Sequence, residues 1–129
     1  MLATISAGFL VATTLIVSLF QIALALGAPW GAYAYGGART GRLPVGFRIN
    51  SVVSAIVMVA ISGHYLAQLG VFTPILDPAG NSVVNWVLVV FTGLSAVANN
   101  ITRSKLERAA WGIPTILMLI AALLVALNL

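Results

Sequence analysis

The sequence predicts an all-α fold, an integral membrane bundle of four helices. Three observations carry that reading: charge is scarce, the apolar runs are long, and the basic residues fall into two clusters. Of 129 residues, six are basic and two acidic. Charged residues therefore make up 6% of the chain, against about 25% in soluble domains. Hydrophobic residues make up 61%, with a mean hydropathy of +1.12. A soluble globule of this size has more surface than eight charges can cover, and a disordered chain is polar and charged.

Four uncharged runs lie between the charges, at 1–38, 49–76, 78–102 and 109–129. Each exceeds the roughly 20 residues that cross a hydrocarbon core of about 30 Å. None shows the alternation of a membrane β-barrel strand. Trimmed at Gly, Pro and polar clusters, they predict helices at 2–26, 49–70, 83–99 and 105–127 in one transmembrane domain, 1–129. The first contains Ala23-Leu24-Ala25, which has the form of a signal-peptidase site. With no basic segment before it and an apolar run too long for a signal peptide, it is expected to be a retained span.

The segment from Gly27 to Gly37 holds four glycines and three aromatics and no charge. It is too apolar for a solvated linker and too rich in glycine for a stable helix. Two readings stand. It lies at the membrane interface with Trp30, Tyr33 and Tyr35 in the aromatic belt, or Trp30, Tyr33, Tyr35, Gly36 and Gly37 form a docking surface for a partner helix.

Arg39, Arg42 and Arg48 follow, before the second helix. That helix carries the only histidine, His64, about 24 Å along the axis from Arg48 at about 1.5 Å per residue. An ionisable group within a span is a candidate polar site by default, yet His64 has no charged partner and sits beside Tyr65. A structural role is therefore expected. Thr73-Pro74, Asp77-Pro78 and Ala79-Gly80 predict a tight turn before the third helix. Gln21, Asn85, Asn99 and Asn100 are expected to bond between helices. Ser54, Thr92 and Ser95 are the polar exceptions in otherwise apolar mid-helix positions.

Arg103, Lys105 and Arg108 flank the start of the fourth helix. Ser104 and Glu107 have the spacing of a capping box, and Glu107 is expected to pair with Arg103. Pro114 should kink this helix and free the Ala110 carbonyl. Trp86 and Trp111 are placed as interfacial anchors. Small residues at four-residue spacing, Gly8 with Ala12, Ser51 with Ala55 and Ala122 with Ala126, are expected to allow close packing.

Orientation follows from the basic residues. The first and third loops hold three each, while the termini and the middle loop hold none. The positive-inside bias places both basic loops in the cytoplasm and both termini outside. Arg39, Arg42, Arg48, Arg103, Lys105 and Arg108 then form a rim for anionic lipid headgroups. Nucleic acid is disfavoured as a partner, because no basic helix or soluble domain is present.

Function is less legible. Cysteine is absent, which excludes thiolate metal sites and cysteine nucleophiles. Asp77 and Glu107 are expected about a bilayer apart and His64 stands alone, so no acid, base and nucleophile gather. No enzyme activity, metal or cofactor is expected. The leading expectation is a non-catalytic accessory or structural subunit of a larger membrane complex; the alternative is a small oligomeric transporter or channel.

The runs Gly27-Ala28-Pro29-Trp30-Gly31, Tyr35-Gly36-Gly37, Leu43-Pro44 and Arg48, with Arg103-Ser104, Glu107-Arg108 and Trp111-Gly112, resemble small, uncharacterised four-pass membrane proteins of actinobacteria. In size and topology the chain is also similar to the accessory subunit of mycobacterial Mce-type lipid importers. That resemblance implies a place in the bacterial inner membrane beside the permease and ATPase of an ABC-type lipid uptake system. It brings no functional residues with it.

Overall fold

The computed structural model describes all 129 residues. It is all-helical, with α1 at Leu2–Ala25, α2 at Val45–Gln68, α3 at Pro78–Ile101 and α4 at Lys105–Ala126. All four are long and apolar enough to cross a membrane.

The helix termini follow local chemistry, and this is where the sequence boundaries need correction. α2 begins at Val45 and not at Ile49, because Pro44 occupies the N-cap and cannot itself continue a helix backward. α3 begins at Pro78 and not at Val83. Asp77 is its N-cap, accepting a hydrogen bond from the Gly80 amide at 2.7 Å, and proline at the first helical position needs no amide partner. Asp77-Pro78 is thus a helix start and not part of the turn. At the far end of α2, Gly70 takes a φ of +82°. The Val71 amide bonds back to the Leu66 carbonyl at 3.1 Å, which closes a Schellman motif.

The helices are arranged in the order α2–α1–α4–α3. α1 packs along both α2 and α4, and α3 packs along α4, whereas α2 and α3 scarcely meet. The packed faces are small and polar. Thr14 and Ser62 hydroxyls lie 2.6 Å apart across α1 and α2, and the Ser18 hydroxyl donates to the Ala55 carbonyl at 3.0 Å. Such residues let helix backbones approach closely. Of the small pairs expected, Ser51 and Ala55 are buried, while Gly8 and Ala12 face outward. The Pro114 region is served by side-chain donors one and two residues beyond Ala110. Thr115 donates to Trp111 at 2.7 Å, and Asn100 reaches across from α3 to Gly112 at 3.0 Å.

The two ends of the bundle differ. At the end carrying Asp77, a continuous apolar core joins Leu10, Tyr65, Leu88, Met118, Ala122 and Val125. At the other, basic end, the first loop folds under the helices. Two 3-10 turns, Gly31–Tyr33 and Tyr35–Gly37, bury Ala34 with Leu24 and Leu43. This loop, and not a packed core, floors the basic half.

Candidate functional site

A cleft of about 270 Å³ occupies the basic half of the bundle. It lies where α2 and α3 fail to pack, and every helix contributes to it. Val17, Phe20 and Gln21 come from α1, Ser54 and Met58 from α2. α3 supplies Phe91, Thr92, Ser95 and Asn99, α4 supplies Glu107, Trp111, Thr115 and Met118, and the first loop supplies Tyr33, Ala34 and Tyr35. The mid-helix exceptions Ser54, Thr92 and Ser95 thus converge on one space.

Glu107 is the only charged residue lining the cleft, and it is 7% exposed. The capping box is half formed. Ser104 Oγ accepts from the Glu107 amide at 3.1 Å, but the Glu107 carboxylate turns to the first loop, where Oε2 accepts from the Gly36 amide at 3.2 Å. The expected pairing with Arg103 does not form, because Arg103 precedes the N-cap and lies outside the helical spacing that would bring it alongside. Ser104 Oγ also donates to the Ala32 carbonyl, which fastens the loop to α4. Gly37 lies so near Ser104 that a Cβ there would stand 2.8 Å from the serine Cβ.

Tyr35 is the hub of the floor. Its hydroxyl lies 2.9 Å from Ser51 Oγ and accepts from Asn50 Nδ2 at 3.0 Å, while its ring packs against Phe47 at 5.0 Å. The residue holds a φ of +52°, a left-handed conformation that costs a bulky side chain about 1 kcal/mol. Tyr35, Gly36 and Gly37 therefore make contacts within their own chain. Trp30 stacks on Phe20 at 6.3 Å and is half exposed. Trp111, expected as an interfacial anchor, points inward and meets Phe20 edge-on at 5.0 Å.

The opposite mouth of the α2–α3 seam is tied by side chains. His64 Nε2 donates to Asn85 Oδ1 at 2.8 Å. Gln68 and Asn85 pair their amides, Gln68 Nε2 donating to Oδ1 at 3.0 Å and Asn85 Nδ2 donating to Gln68 Oε1 at 2.9 Å. His64 also meets Tyr65 edge-on at 5.3 Å. Asn85 and Asn100 bond between helices as expected. Asn99 instead donates to Ser95 in its own helix at 2.8 Å, and Gln21 Oε1 is buried without a partner. Gln68, which the sequence reading passed over, completes the tie; its spacing of four from His64 was the available signal.

The basic residues divide by role. Arg48 Nε donates to the Ala25 carbonyl at 2.9 Å, placing its charge at the C-terminal end of α1 where the helix dipole favours it. Arg108 Nη1 donates to the Thr102 carbonyl at 3.1 Å. Arg39, Arg42, Arg103 and Lys105 are exposed around the basic end.

No protein-family model, curated protein or solved structure matches this chain. No group of three His, Cys, Asp or Glu side chains stands close enough to hold a metal ion. What the arrangement offers chemically is a half-polar recess with aromatic walls and one carboxylate.

Proposed function

We propose that this chain is a non-catalytic subunit of the bacterial inner membrane that holds a small amphiphile in the cleft between α2 and α3. The observation that carries the reading is the cleft itself: a lateral recess with aromatic walls, polar towards the basic end. A partner helix is about 10 Å across and would not enter about 270 Å³, whereas an acyl chain or alkyl amphiphile fits that space. In this reading the basic loops face the cytoplasm, both termini face outward, and the basic rim sits among anionic headgroups. The larger assembly it serves is a lipid uptake complex with a permease and ATPase, as the resemblance implies.

Native mass spectrometry of the protein extracted in mild detergent tests the binding role. A retained adduct of lipid size is expected, and Ser95→Phe, which fills the cleft, is expected to lose it. Wild type and variant equally free of adducts, with neither binding an added alkyl amphiphile, would refute the reading. Single cysteines at Gly80 and Ala38 should label from outside and inside respectively, and affinity purification from native membranes should bring down the larger complex.

A second reading, a small oligomeric transporter, is favoured by one observation. Gln21, Ser54, Thr92, Ser95, Asn99 and Glu107 line one space running from mid-bundle to the basic end. Proteoliposome flux of an amphiphile that depends on protein density would favour it over simple holding.

A further inference from the structure

We propose that the ligand of this cleft carries an organic ammonium group, held between the Glu107 carboxylate and the rings of Phe20, Phe91 and Trp111. This rests on the amphiphile-binding reading above and adds the charge of the ligand.

Glu107 is nine-tenths buried, yet no Lys or Arg nitrogen stands within ion-pair distance of it. The carboxylate oxygen without a partner is not among the fully buried atoms, so it stays accessible from the space around it. A cation arriving there would meet an unpaired negative charge in a largely desolvated setting. The neighbouring cations are committed or outside. Arg108 bonds the Thr102 carbonyl and Arg48 the Ala25 carbonyl. Lys105 is exposed. Arg103, though it shares with Glu107, Tyr35 and Asn99 the lining of an adjoining depression at the surface of the basic end, forms no ion pair with the carboxylate. Within the carboxylate, Oε2 takes the Gly36 amide, while Oε1 has no hydrogen-bond donor in the chain.

Three of the other polar groups point the same way. Thr92 donates its hydroxyl proton to Leu88, Thr115 to Trp111, and Asn99 one amide proton to Ser95. The threonine donors are each spent within their own helix, and the acceptor oxygens of all three remain. Gln21 Oε1, buried and unpartnered, adds another acceptor. The Ser54, Ser95 and Tyr33 hydroxyls of the lining can turn to accept or to donate, so it is the Glu107 carboxylate and the aromatic faces that favour an ammonium group over a phosphate or carboxylate ligand. A cation within about 6 Å of a ring face gains electrostatically, most of all against tryptophan, and Trp111 and Phe20 stand together in this wall.

The ammonium group has two sources, an amine-bearing lipid headgroup or a free lipophilic amine. Calorimetry on the full chain in maltoside micelles, which are uncharged and amine-free, tests the chemistry with hexyltrimethylammonium and hexanol as probes. We expect the cation to bind at least tenfold more tightly than the alcohol. In Glu107→Gln, where the amide oxygen still accepts from Gly36, the two probes should bind alike. Phe91→Leu, which leaves Glu107 in place, should weaken the cation a few-fold and serves if the first variant misfolds.

Equal binding of both probes to wild type, or a preference that survives Glu107→Gln, would overturn the ammonium inference and leave the amphiphile reading standing. Binding of neither probe would overturn both. Native mass spectrometry separates the sources. A phosphatidylethanolamine adduct lost in Glu107→Gln supports the headgroup, and cation binding by adduct-free wild type supports a free amine.

Discussion

Asn85→Ala is the sharpest test of how the bundle closes. Asn85 is the hinge of the tie between α2 and α3, and those helices barely touch elsewhere. The substitution removes the His64 bond at 2.8 Å and both amide bonds to Gln68, at 3.0 and 2.9 Å. Bonds between helices in a membrane average about 0.6 kcal/mol and reach about 1.7 kcal/mol, because the unfolded chain also finds partners there. Three such bonds at about 0.6 kcal/mol each imply a loss of about 2 kcal/mol. His64→Ala removes one bond of this network to Asn85 and should cost about 0.6 kcal/mol through it. Reversible unfolding in mixed micelles measures each variant, and the double variant completes the cycle. A coupling energy of about 0.6 kcal/mol between the two positions is expected, since the pair shares one bond. Strict additivity, with Asn85→Ala costing no more than an outward-facing substitution such as Ala12→Ser, would refute the reasoning.

Two further outcomes concern the floor. A Cβ at Gly31 would collide with the backbone carbonyls of Arg39 and Gly41, which no rotamer change relieves, so Gly31→Ala should lower stability by about 1–3 kcal/mol. It should also speed tryptic cleavage at Arg39 and Arg42; an unchanged thermal midpoint would count against the loop packing described. Tyr35→Phe keeps the strained backbone and loses the contacts to Ser51 and Asn50, so a loss of about 1–2 kcal/mol is expected, read by the same micellar unfolding.

The helices themselves were legible from the apolar runs, because a span of about 20 residues between charges leaves little choice of structure. Their starts were less so. Asp77-Pro78 signals a turn and a helix N-terminus alike, and only the Gly80 amide on the Asp77 side chain distinguishes them. Ser54, Thr92 and Ser95 stood out as polar breaks, but their convergence did not. Sequence position sets height along a helix, whereas convergence depends on the order of helices around the bundle. Trp111 illustrates the same gap: its height suits an interfacial anchor, and its azimuth aims it at Phe20. Glu107 was readable only as a local capping residue, since its partner Gly36 lies 71 positions away in the chain.

The side-chain tie near one end of the α2–α3 seam gives the two helices the geometry of a lever. From His64 to Phe47 is 17 residues, about 25 Å of rigid helix. A rotation of about 5° at the tie would carry the Phe47 end through about 2 Å, more than the width of one methylene step along an alkyl chain. The fulcrum bonds need lengthen only slightly for that. At the Phe47 end, however, that swing is opposed by the Tyr35 ring on Phe47, the Tyr35 contacts to Ser51 and Asn50 and the Arg48 bond to Ala25. The recess is thus held in width at both ends, and ligands differing by a methyl group or two should be told apart.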